Sequence, residues 1–194
     1  MAPTMNISYD QAPYDVRQDI AHTHCNTWDH IAAPGTWLSG ERRVAIAAET
    51  GHAAGCALCQ ERKAALSPYA VKGDHDDLGD LPDAVIEMIH RIVTDPGRIT
   101  QSWVDGLIAG GIAEPDYVEM VGVIVHTMCV DGFTDTLGMP RHALPDPKKG
   151  EPTRILPSGA ETDTAWLPTI PPENADETLL AIYPQNVGDS PNAP

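Results

Sequence analysis

Apolar residues recur through the middle of the chain at the three-to-four-residue spacing of helices that bury one face. Ser39 is a good N-cap for a helix through Glu41-Arg42-Arg43-Val44-Ala45-Ile46-Ala47-Ala48-Glu49, which Gly51 and Gly55 interrupt. Helical composition resumes from Cys56 to Leu66 and stops before Pro68, because proline disfavours helix at the residue ahead of it. Leu81-Pro82-Asp83 opens a helix through Ile86, Ile89 and Val93 that closes at Asp95-Pro96-Gly97. Thr100 caps a short helix with Trp103 and Leu107. Glu114-Pro115-Asp116 starts a long one, with proline in the first turn where its missing N–H costs little. That helix carries Val118, Val121, Ile124, Val125, Met128 and Phe133 and ends near Gly138-Met139-Pro140. No strand pattern is of comparable strength, so the expected fold is all-α.

Three regions follow. Residues 1–38 form an N-terminal segment, with a short helix near Tyr14–Ile31 and a turn at Ala33-Pro34-Gly35-Thr36, that packs on the core. Residues 39–140 form the helical domain. Residues 141–194 hold most of the 18 prolines and form an extended, irregular tail, which either runs along a neighbouring subunit or serves as a linker.

Composition sharpens this picture. With 194 residues, 42% of them hydrophobic, one ordinary domain with a real core is expected. One Phe and five Tyr leave Ala, Ile, Leu, Val and Met to build that core, which favours close helix packing over a β-sandwich. Twenty-eight acidic residues against 12 basic give a formal charge of −16, which repels phosphate backbones and argues against nucleic-acid binding. No run reaches the roughly 18 apolar residues of a membrane span, and Met1–Val16 lacks the order of a signal peptide, so the expected location is the cytoplasm.

Cys25, Cys56, Cys59 and Cys129 are too few and too uneven for a disulfide scaffold. Cys56 and Cys59, however, are spaced so that their sulfurs can meet. Gly55 places Cys56 at a helix start, where the dipole favours a thiolate, and Arg62 and Lys63 add positive charge. On an unbroken helix at about 100° per residue, Glu49, His52, Cys56, Cys59 and Lys63 would share an arc of about 80°. A carboxylate can orient a histidine, a histidine can take a thiol proton, and the second thiol can resolve a sulfenic acid to a disulfide. Plain small hydrophobes in a helix are the bland reading of the same pair. Half of a zinc site is another, although zinc wants four ligands and no second Cys-x-x-Cys exists.

The run LSGERRVAIAAETGHAAGCALCQERKAALSP resembles the core motif of the carboxymuconolactone decarboxylase superfamily, in particular its alkylhydroperoxidase D-like branch. The later run EPDYVEMVGVIVHTMCVDGFTDTLGMP resembles the helix beside it in that fold, so the resemblance covers residues 38–140, about half of the chain. It implies an alkylhydroperoxidase D-like helical bundle, a homo-oligomer, and a thiol pair that reduces peroxides or disulfides. It also implies that Cys59 attacks and Cys56 resolves. The family often has a histidine four residues after the second cysteine, where this chain has Lys63. The proton relay is then expected from Glu49 with His52, or from His126 of the long helix.

The expected function is therefore a thiol-dependent peroxidase or disulfide oxidoreductase, re-reduced by an external dithiol, with no organic cofactor, bound metal, nucleic acid or membrane partner. The alternatives are a non-catalytic oligomeric scaffold of the same fold, or a metal- or haem-binding protein using His52, Cys56, Cys59 or His126. Two further groups admit either a functional or a packing reading. Glu119, His126 and Cys129 share a face of the long helix, either as a second polar cluster toward the thiols or as core lining. His22, His24, Cys25 and His30 lie close in AHTHCNTWDH, but their spacing fits no metal motif.

Overall fold

The computed structural model describes residues 7–155, 158–161 and 165–180. It is all-α: among these residues there is no strand, only an antiparallel bridge between Glu161 and Thr169. The chain divides into two compact units, the first ending at Arg154 and the second starting at Ile155. Among the described residues, no helix is long and apolar enough to cross a membrane.

The first unit contains α1 (Gln18–Ala32), α2 (Gly40–Ala53), α3 (Ala57–Ala64), α4 (Asp83–Thr94), α5 (Gln101–Ala109) and α6 (Glu114–Thr136). α2 lies at the centre, packed against α6, α4 and α1. Its start is the one the sequence implies: Ser39 Oγ accepts from Arg42 N at 3.2 Å, and Glu41 sits in the positive first turn. Thr100 caps α5 in the same way, and Pro115 occupies the first turn of α6. The core between these helices is built from Trp28, Ile31, Ile46, Met88, Ile89, Ile124 and Val130, all essentially without solvent contact.

Residues 141–154, assigned from their prolines to the tail, belong to this first unit. Ala143 O accepts from Trp28 Nε1 at 2.9 Å, and Lys148 N donates to Ala32 O at 2.8 Å. Lys148 Nζ reaches Asp29 at 2.8 Å, and Arg154 N donates to Thr36 O at 2.9 Å. An irregular segment can thus be fixed by backbone bonds that leave no hydrophobic period in its sequence. Its passage constrains Gly40. A Cβ there would lie 2.3 Å from Ala32 O and 2.7 Å from Lys148 O, both backbone atoms that cannot swing away. Gly40→Ala is therefore expected to cost about 2–3 kcal/mol in a urea melt; an unchanged midpoint would contradict this packing.

Tyr9 clasps the N-terminal segment to α1, α6 and His142 of the segment after α6. Tyr9 OH shares a 2.6 Å hydrogen bond with His24 Nδ1, and its ring meets His24, Phe133 and His142 edge-on. Burial, and for His24 the neighbouring His142, holds both imidazoles below their ordinary value of 6.5. The unfolded chain then binds protons that the folded one resists. Stability from this clasp is intact above pH 6.5 and declines as pH falls from there through the depressed folded values. Melting temperature measured from pH 8 to 5 should fall on the acid side (a window of about one to two units), and a His24→Phe, His142→Phe double variant should flatten that fall.

The second unit carries the Glu161–Thr169 bridge, with both N–H···O bonds at 2.8 Å, and a one-turn α7 (Glu177–Leu180). Asn174 Nδ2 closes it by donating to Gly159 O and Glu161 Oε1.

Candidate functional site

α2 does not continue into the cysteines. It ends at Ala53, where Gly55 N donates to His52 O and Cys56 N to Ala53 O, and Cys56 takes an extended conformation as N-cap of α3. This break separates side chains that an unbroken helix would align. It places Cys56 and Cys59 at the first turn of a new helix, both buried and both free thiols.

Two histidines complete the cluster. His75 comes from the irregular segment 65–82, and His90 from the inward face of α4. His75 Nδ1 lies 3.6 Å from Cys56 Sγ and 3.5 Å from Cys59 Sγ. His90 Nδ1 lies 3.4 Å from Cys59 Sγ. The four donor atoms all fall within 4.8 Å of one another, and the two rings are tilted at a centroid distance of 4.3 Å.

Each imidazole is braced from behind by a carboxylate. His90 Nε2 is 2.7 Å from Glu49 Oε1, and Glu49 Oε2 accepts from Leu78 N at 3.0 Å, so both oxygens of this 1%-exposed carboxylate are used. His75 Nε2 is 2.8 Å from Glu87 Oε2, which also accepts from Arg62 Nη1 at 2.7 Å. A carboxylate only accepts, so Nε2 carries the proton in both rings. In the neutral ring Nδ1 is left with its lone pair toward sulfur.

The electrostatics split the two thiols. Burial would raise Cys56, but the backbone N–H groups of Cys59 and Asp76, with the His75 and Cys59 side chains, outweigh it and bring Cys56 down to about 6. Cys59 is pushed up to about 12, first by burial and then by the neighbouring Cys56. Cys56 is therefore the first of the two to ionise. His75 is raised chiefly by its bond to Glu87. On Glu87, bonds from His75 and Arg62 overcome the upward push of burial and lower its carboxyl. Beside Cys59 opens a small cleft of about 20 Å³, lined in part by Arg62, His75, Glu87 and Thr94, with room for a water-sized guest.

Of the residues expected from sequence, the structure brings together Cys56, Cys59 and Glu49. His52 is not in the group: in the last turn of α2, ahead of the break, its Nε2 lies 3.5 Å from Asp76 Oδ1, and it is a third exposed. His126 is not either; it projects from the exposed side of α6, with Nδ1 2.7 Å from Gly122 O. Glu119, on the same face of α6 as His126, does not bond it but accepts from Arg43 Nη1 and Trp37 N. Cys129 is exposed. In AHTHCNTWDH, His24 bonds Tyr9, Cys25 Sγ accepts from Ile7 N, and His22 is exposed.

No protein-family model, curated protein or solved structure matches this chain. The residues that sequence reasoning missed are His75, His90 and Glu87. His90 left a signal, an imidazole in the apolar stripe of Ile86, Ile89 and Val93, where a buried ring must find a partner. His75, within Gly73-Asp74-His75-Asp76-Asp77, left none, because a loop residue has no period to betray its direction.

Proposed function

We propose that this protein is a thiol oxidoreductase that reduces hydroperoxides or disulfides through Cys56 and Cys59. The observation that carries the reading is the pair of carboxylate-braced imidazoles, Glu49–His90 and Glu87–His75, whose free nitrogens face the two sulfurs. This is the arrangement of an activated nucleophile, with the base oriented by a third group. The resemblance to the alkylhydroperoxidase D-like branch points the same way.

Cys59, which borders the cleft, is the attacking thiol that the resemblance implies; because Cys56 ionises more readily, Cys59 must give up its proton as it attacks. His90 Nδ1 takes its proton, with Glu49 stabilising the imidazolium. The thiolate attacks one oxygen of ROOH, the O–O bond breaks, and the departing alkoxide takes a proton to leave as ROH. Cys59 is then a sulfenic acid. Cys56, held as a thiolate, attacks that sulfur; the hydroxyl leaves with a proton as water and the disulfide forms. An external dithiol returns the pair to its reduced state by exchange, as the reducing cytoplasm allows. A homo-oligomer is part of the same reading.

Cys59→Ser is expected to abolish peroxide turnover with helix content unchanged, as measured by coupled reductant consumption and circular dichroism. Cys56→Ser should leave a sulfenic acid at Cys59 that a cyclic 1,3-diketone traps. Full turnover by Cys59→Ser would refute the assignment.

A further inference from the structure

Cys56, Cys59, His75 and His90 also have the geometry of a metal centre, and we propose that together they bind one Zn2+ in a closed tetrahedral site. This goes beyond the redox reading, which needs the sulfurs and one base at a time but not four donors around one point.

The distances carry the argument. Zinc bonds thiolate sulfur at about 2.3 Å and imidazole nitrogen at about 2.0–2.1 Å, so a tetrahedron with these arms has sulfur–nitrogen edges of about 3.5–3.6 Å. Three of the four sulfur–nitrogen edges are 3.6, 3.5 and 3.4 Å, and every pair among the four donors lies within 4.8 Å. Hydrogen bonding alone accounts for them poorly. His75 Nδ1 stands almost equally far from both sulfurs, yet it carries either one proton or one lone pair and so can make a well-directed hydrogen bond to only one of them. A cation at the common centre engages all four donors at once.

What lies behind the donors fits as well. Metal-bound imidazoles nearly always give their other N–H to a carboxylate or carbonyl, which fixes the tautomer and strengthens the ligand. Glu49 and Glu87 do this for His90 and His75 at 2.7 and 2.8 Å. Two thiolates neutralise the dication, and a mixed sulfur and imidazole set suits zinc ahead of magnesium or calcium. Four protein donors close the sphere, the pattern of structural sites. Occupied, the site would tie together α3, α4 and the irregular segment 65–82, whose one regular element is the 3-10 turn Pro68–Ala70. Metal and disulfide draw on the same sulfur lone pairs, so the two states exclude each other.

The test is a Co2+ titration of the reduced, chelator-treated full-length protein, followed by Zn2+ competition. One Co2+ per chain is expected, with the strong visible absorption of a tetrahedral site and a near-ultraviolet thiolate-to-cobalt band, both removed by one equivalent of Zn2+. His75→Ala should lose the tetrahedral spectrum, Glu87→Gln should keep it with roughly 10- to 100-fold weaker affinity, and Cys129→Ser should match the wild type. Weak, octahedral-type absorption without a thiolate band in the wild-type protein would overturn the proposal, as would unchanged binding by His75→Ala. Peroxide turnover is assayed on the metal-free protein, so failure of the redox reading and failure of this one are read separately.

Discussion

Glu49→Gln should cut peroxide turnover by about 100-fold or more, the lower end of what a positioned general base contributes. Glu49 is 1% exposed, and its two oxygens receive the His90 Nε2 proton and the Leu78 N–H. Glutamine keeps the shape but replaces one acceptor with an NH2. If the amide nitrogen faces Leu78, two donors oppose each other there. If it faces His90, the ring must turn its lone pair to Nε2 and carry its proton on Nδ1, which then cannot accept from Cys59. One unsatisfied buried donor should also lower folding stability by about 1–3 kcal/mol. His126→Ala, on the exposed side of α6, should keep wild-type turnover. Equal losses in the two variants, or none in Glu49→Gln, would remove the Glu49–His90 relay from the mechanism.

The largest purely structural effect is expected at Glu119. This side chain bridges α6 to the start of α2, accepting from Arg43 Nη1 at 3.1 Å and from Trp37 N at 2.7 Å. The Arg43 side chain is 4% exposed and that of Glu119 is 13% exposed. Removing one partner leaves an uncompensated buried charge, so Glu119→Ala should destabilise the fold by about 3–5 kcal/mol. Gly35 lies against the same pair, where an added Cβ would fall 1.9 Å from Glu119 Oε1 and 2.1 Å from Arg43 Nη1. Both Glu119→Ala and Gly35→Ala should therefore shift a urea melt strongly to lower denaturant. A shift of Glu119→Ala within about 1 kcal/mol, typical of an exposed pair, would contradict the burial argument.

The helices were legible wherever a cap or a proline punctuated an apolar period. Ser39, Thr100 and Pro115 start helices where expected, and the apolar stripe of Ile86, Ile89 and Val93 marks α4. The break after Ala53 was signalled by Gly55, yet aligning Glu49, His52 and the cysteines on one arc required that the helix run through it. Glu49 is linked to the thiols only through His90, which α4, packed on α2, places between them. His52 and the cysteines are parted by the turn instead. Tertiary crossings of this kind are absent from any local pattern. So are the loop that presents His75 and the backbone bonds that hold residues 141–154 to α1 and its following turn.

The central claim is that Cys56 and Cys59 form a reactive pair. Its most direct test is to treat the reduced, metal-free protein with one equivalent of hydrogen peroxide, count the remaining thiols and locate the product by peptide mass spectrometry. The account predicts that two of the four thiols disappear and that a Cys56–Cys59 disulfide accounts for them, leaving Cys25 and exposed Cys129 reduced. Oxidation confined to Cys129, with Cys56 and Cys59 recovered as thiols, would contradict it.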